Sequence, residues 1–149
     1  MVGNDKTGWR FISKEGRQEG AKSDSENNPS SGGPALPAKT GKFGTLAEFF
    51  GHSDFKEYQN AILIPIDPKQ EATAIATMNN EAKSEYNIFV NNCGHAVNNT
   101  LTLLGISTFS PKSWSSGSIY NLARAAQPND MYIDIKMANH KKIIMTITK

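Results

Sequence analysis

A single cysteine, Cys93, occurs in the 149 residues. An internal disulfide is therefore excluded, and no Cys/His cluster has the spacing of a structural zinc site. Histidine is almost as scarce, with three copies, so any imidazole chemistry has few candidates. Charge of one sign is scarce too. The net charge is +2, and no Lys/Arg cluster forms a stripe of the kind that binds nucleic acid. No apolar run reaches membrane-spanning length. The opening Met1-Val2-Gly3-Asn4-Asp5 has no apolar core of a signal peptide. What is present fits one domain spanning 1–149, with an ordinary core. The mean hydropathy of −0.48 is lowered by one polar segment, so the remainder is more apolar than the average implies.

That segment is 16–42, rich in Gly, Ser, Pro, Asn, Lys and Glu and without apolar periodicity; it reads as a long polar loop. Before it, Met1-Val2-Gly3 and Trp9-Arg10-Phe11-Ile12-Ser13 read as a strand pair around the turn Asn4 to Gly8. The first of these strands is short, and the expectation is that the encoded chain continues upstream of Met1. Thr45-Leu46-Ala47-Glu48 is a capping box that opens a short helix to Phe50. Asn60 to Ile66 reads as a strand with Pro65 at its end or on an edge. Asp67-Pro68-Lys69-Gln70 starts a helix whose apolar face is Ala72, Ile75, Ala76, Met78 and Ala82. A helix from Cys93 to Leu104 stops at Gly105, with Ile106 after it. Another helix is expected over 118–126. Met131–Met137 and Lys142–Ile147 alternate and are expected to close the chain as a hairpin around Ala138-Asn139-His140. The order implies an α+β fold with helices packed on an antiparallel sheet that includes this hairpin.

Asn91-Asn92-Cys93-Gly94-His95 is the candidate for chemistry. Asn92 is a good N-cap, which makes Cys93 the first helical residue. Unpaired N–H groups and the positive end of the helix dipole favour a thiolate there, the state a cysteine nucleophile needs. The same cysteine also suits a small buried packing residue. A nucleophile needs a base. His95 lies two residues on, roughly 200° around the helix, so it faces away from Cys93 and is expected to pack or cap. His52 and His140 lie in turn-like stretches. Asn98-Asn99-Thr100 matches a glycosylation sequon without a secretory context.

Tyr86-Asn87-Ile88-Phe89-Val90-Asn91-Asn92-Cys93-Gly94-His95-Ala96-Val97 resembles the cysteine motif of circularly permuted papain-like (NlpC-type) domains, a superfamily that includes the lecithin retinol acyltransferase-like enzymes. The wider pattern is similar to a toxin domain at the C-terminus of bacterial Rhs polymorphic toxins. It comprises the Trp-x-Phe-x-Ser-Lys-Glu-Gly segment from Trp9 to Gly16, a polar loop, a short helix, a strand, a Gln/Lys/Ala-rich helix and the Asn-Asn-Cys segment. The resemblance covers roughly 1–127. It implies a papain-like fold and a cysteine hydrolase or acyl-transfer activity on amide or thioester bonds. Cys93 would be the nucleophile, with Asn92 and Gly94 at the oxyanion position and no metal or cofactor. The family's histidine would fall just upstream of Met1, with His52 as a substitute, and the third polar member would be Ser13. The implied setting is an effector, secreted or injected into a target cell and otherwise cytoplasmic. Its partners would be a cognate immunity protein and a protein, peptide or acyl substrate, with no nucleic acid and no membrane span. The alternative is a degenerate, non-catalytic relative that binds a partner protein through the same groove.

Overall fold

A three-stranded antiparallel sheet occupies the N-terminal part of the chain. The computed structural model describes residues 1–16, 35–53, 58, 60–87, 91–108 and 128–148. Strand β1 (Val2–Asn4) pairs with β2 (Gly8–Ile12), and β2 pairs with β3 (Thr40–Phe43). The β1–β2 turn forms because Asn4 Oδ1 accepts from the amides of Lys6 and Thr7. It is tight enough to require glycine. Gly3 has φ +144°, and a Cβ there would lie 2.2 Å from the Gly8 carbonyl oxygen.

Thr40, Gly41 and Lys42 therefore belong to a strand, not to the polar loop expected to run to residue 42. Thr40-Gly41-Lys42-Phe43 has no run of apolar residues to announce a strand. It is held by backbone pairing with β2, in register Trp9↔Phe43 and Ile12↔Thr40. The pairing continues past β2, where the Ser13 amide donates to Lys39 O at 3.0 Å. Most of the loop, 17–34, lies outside the described residues.

Side chains alternate across a strand, so the register sorts them. Trp9, Phe11 and Phe43 share one face, and Arg10, Ile12, Thr40 and Lys42 share the other. The first face packs against α1 (Leu46–Gly51), where Phe11 and Phe49 are buried and Phe43, Phe50 and Tyr58 close around them. Thr45 caps α1 by accepting from the Glu48 amide, as expected. The reciprocal bond is shifted by one residue, because Glu48 Oε2 accepts from Gly44 N at 2.6 Å.

The second face carries α2 (Glu71–Lys83), which lies over β1 and β2. The predicted capping box forms at its start, with Asp67 and Gln70 bonded reciprocally around a 3-10 turn, Pro68–Gln70. The buried face of α2 matches the predicted one in part, with Ala82 buried and Ile75 and Met78 half-buried, and differs from it at the alanines of the first turns. Ala74 and Ala82 are buried, whereas Ala72 and Ala76 are exposed. α3 (Cys93–Leu103) has α2 and α4 (Pro128–Ala138) as its main helical neighbours. It ends as predicted. Gly105 takes φ +69°, and Ile106 N donates to Leu101 O at 2.9 Å.

The C-terminal hairpin does not form. Residues 128–138 are helical, and β5 (Met145–Thr148) pairs with β4 (Asn60–Leu63) as a separate two-stranded antiparallel sheet. Met131, Ile133, Ile135 and Met137 satisfy a strand period, but the buried positions are Met131, Asp134, Ile135 and Asn139. That spacing is a helix face. Met131 and Ile135 pack with Ile62, Ile64 and Leu101, while Ile133 and Met137 are exposed. The sheet expected beneath the cysteine helix therefore contains no hairpin from 131–147. The fold is α+β, with small antiparallel sheets and helices on both faces of the larger one. The helix expected at 118–126 lies outside the described residues. No helix among the described residues is long and apolar enough to cross a membrane.

Candidate active site

Cys93 is the first residue of α3 and is half-buried. Its position follows from Asn92, whose extended backbone (φ −106°, ψ −172°) lets the side chain accept from His95 N at 3.1 Å. The approach to the helix is fixed as well. Asn87 and Asn91 exchange both backbone hydrogen bonds, at 3.0 and 2.9 Å, so the chain turns back on itself just before Asn92. Residues 88–90, in the middle of the expected lead strand, lie outside the described residues. Capping engages the third amide of the helix. The amides of Cys93 and the buried Gly94 are among those that helix geometry leaves without an intrahelical partner.

His95 completes the cap, as its angular position implies. Its Nδ1 lies 3.4 Å from Asn92 N and 3.0 Å from Asn92 Oδ1. The ring is 5% exposed, and its buried Nε2 has no hydrogen-bond partner among the described residues. Burial lowers its pKa from the ordinary 6.5; the charge of Lys14 lowers it further, and Glu81 opposes. The sign of the consequence is set by where protons go. The unfolded imidazole takes a proton near 6.5, and the folded one resists it until lower pH. Stability is therefore full above about pH 6.5 and falls as pH drops through the folded value, by at most ~1.4 kcal/mol per pH unit. His95→Gln can still reach back to the N-cap. Melting curves from pH 7.5 to 5 are expected to show a steeper acid loss in the wild type than in His95→Gln. Parallel curves would mean that His95 is not the group responsible.

The side chain that reaches this end of α3 from the sheet is Lys14. It continues the alternation of Arg10 and Ile12 and so lies on the α2 face of β2. It is 6% exposed, and its Nζ donates to Ser84 Oγ at 2.5 Å and to Asn91 Oδ1 at 2.7 Å. Burial lowers the Lys14 pKa; the negative charges of Glu81 and the Cys93 thiolate oppose this. Tyr86 also feels the charge of the sulfur. Its phenol pKa is raised by burial and then by the charge of Cys93. The thiol is thus within electrostatic reach of a buried ammonium, which bonds Asn91 two residues before it, and of a phenol.

No protein-family model, curated protein or solved structure matches the chain. Of the residues singled out in the sequence, the structure brings together Cys93, Asn92 and Gly94 at the start of α3. Ser13 is adjacent to Lys14 but turned the other way, its hydroxyl bonded to Glu15 Oε1. His52 is the C-cap of α1, and its ring lies edge-on to Phe43 with centroids 5.8 Å apart. That is the α1 face of the sheet, and Lys14 is on the opposite one. His140 Nδ1 lies 3.0 Å from the Met137 carbonyl oxygen, at the end of α4. Lys14 and Tyr86 were missed. The signal for Lys14 was the two-residue period of β2 carried one step further, which selects Lys14 over Ser13.

Proposed function

We propose that the chain is a cysteine hydrolase or acyl-transfer domain acting on amide or thioester bonds. The observation that carries this reading is the buried Lys14 ammonium, bonded to Asn91 at the start of a capped helix and within electrostatic reach of Cys93. The thiolate attacks the substrate carbonyl, and the amides of Cys93 and Gly94 receive the oxyanion. As the tetrahedral adduct collapses, the Lys14 ammonium passes a proton to the departing nitrogen or sulfur. An acyl group is left on Cys93 Sγ. Neutral Lys14 then takes a proton from the water or acceptor nucleophile that attacks the thioester, and the thiolate is restored. Lysine serves as proton carrier beside other nucleophiles, and a lowered pKa suits it to that work. Ser13 and His52 have no part in these steps, since one bonds Glu15 and the other lies across the sheet.

The resemblance supplies the setting of this proposal: a papain-like domain carried as a bacterial effector, with an immunity protein that covers the Cys93 end of α3. A second reading, a non-catalytic binding module, is favoured by one observation. The described histidines are engaged elsewhere, with His95 in the cap, His52 against Phe43 and His140 at the Met137 carbonyl. Incubation with a panel of acyl thioesters and peptide amides, followed by acid quench and mass spectrometry, separates the two. An acyl mass on the Cys93 peptide is expected. No adduct with any acyl donor, together with alkylation no faster than that of glutathione, would favour the binding module.

A further inference from the structure

α2 lies over β1 and β2, and beside it, against β3, a cleft of about 430 Å³ opens between the sheet and the helix. Arg10 and Ile12 of β2, Thr40 and Lys42 of β3, and Ile75 and Asn79 of α2 line it. The volume is that of a small-molecule site. Among the described residues its charge is one-sided, since Arg10 and Lys42 line it and no carboxylate does. The two cations are also cross-strand partners, Arg10↔Lys42 in the register. Like charges placed directly opposite across a strand pair destabilise it. Such a pair gains when an anion sits between its members.

The cleft also lies in line with the cysteine. β2 advances about 13 Å from Arg10 to Lys14. α2 advances about 13.5 Å from Ile75 to Ser84. Strand and helix run side by side, from the cleft at one end to the Lys14–Ser84 bond at the other. We infer that the cleft binds the anionic end of the substrate, a carboxylate or a phosphate monoester, while Cys93 acts on a carbonyl beyond the Lys14–Ser84 bond. This rests on the reading of Cys93 as the nucleophile, and it adds a substrate class: extended acyl donors that carry a negative group about four residues or more from the scissile bond.

Binding can be measured without turnover. Glutarate and phenyl phosphate are titrated into the wild-type protein, and backbone amide shifts are followed by NMR. The shifts are expected at Gly41, Lys42 and Asn79, weakening as salt rises. The probe that binds more tightly identifies the anion as carboxylate or phosphate. Arg10→Gln and Lys42→Gln are each expected to weaken binding about five- to tenfold. Both cations are exposed, and both variants are expected to melt no lower than the wild type, because the repulsion is relieved. Absence of shifts at millimolar probe, shifts elsewhere, or undiminished binding by the double variant would overturn the inference. An acyl adduct on Cys93 without anion binding removes the cleft and leaves the nucleophile. Anion binding by a protein that forms no adduct does the reverse.

Discussion

Replacement of Lys14 by methionine is expected to slow alkylation of Cys93 by iodoacetamide at pH 7 about tenfold while leaving the fold intact. The ammonium is almost fully buried and close enough to the sulfur for their charges to interact. A cation within electrostatic reach of a sulfur favours the attack of its charged form on the reagent. Part of that gain returns as lower intrinsic nucleophilicity, which is why about tenfold is expected. Stability should move little, because the groups around Lys14 keep other bonds. Ser84 Oγ still donates to Glu81 O at 2.8 Å, Asn91 Nδ2 to Glu85 O at 2.6 Å, and Asn99 Nδ2 to Glu81 Oε1 at 3.0 Å. A methionine stem also removes the cost of burying a charge, so the variant should lie within about 1 kcal/mol of the wild type or above it. Lys14→Arg keeps the charge and should retain part of the rate. A Lys14→Met protein alkylated at the wild-type rate over the whole pH range would remove Lys14 from the site.

The second large effect is on stability. Phe49→Ala is expected to cost about 3–5 kcal/mol, a substantial part of the 5–15 kcal/mol that holds an ordinary domain. Phe49 is 4% exposed and sits at the centre of the aromatic cluster. Its ring centroid lies 5.1 Å from Phe11, 5.3 Å from Phe43, 5.1 Å from Phe50 and 5.9 Å from Tyr58. Among the described residues this cluster is what joins the sheet to α1, so the loss of its central ring is felt by every member. In urea the midpoint should fall by about 2 M, given a slope near 2 kcal/mol/M. Trp9 lies on the same sheet face, and its fluorescence is a direct probe. Exposure of Cys93 to a thiol reagent reports the far face. The two transitions should coincide if the aromatic cluster and the Met131–Ile135 cluster unfold as one unit. An unchanged midpoint would show that the aromatic cluster does not hold the sheet.

How much of this could be read from the chain depended on the reach of each interaction. Asn92 before Cys93, Asp67 with Gln70, Gly105 before Ile106, and Asn4 accepting from the two amides beyond Asp5 are all bonds between residues a few positions apart. Chemistry at that range is written in residue types, and so the start of the cysteine helix and the role of His95 in its cap were legible. The segment 131–137 was not, because its alternation satisfies a strand and a helix alike. What decided it was the second strand of the small sheet. β4 takes Met145–Thr148 as its partner, and Met131 and Ile135 turn one helical face to Ile62, Ile64 and Leu101.

The sequence by itself determined that the one cysteine opens a helix behind an asparagine cap, since the bonds that place it span only three residues. Only the tertiary structure decided what that cysteine faces. Lys14 meets Ser84 and Asn91 across separations of 70 and 77 residues, and it does so because α2 packs on the Arg10–Ile12 face of β2 and not on the other. Had the helix landed on the opposite face, Ser13 would have pointed toward the cysteine and Lys14 toward α1. That choice follows from burial. Phe11 and Phe43 need the apolar cover that Phe49 and Phe50 provide, which leaves the face with Arg10, Lys42 and Lys14 to border the cleft and the cysteine end of α3.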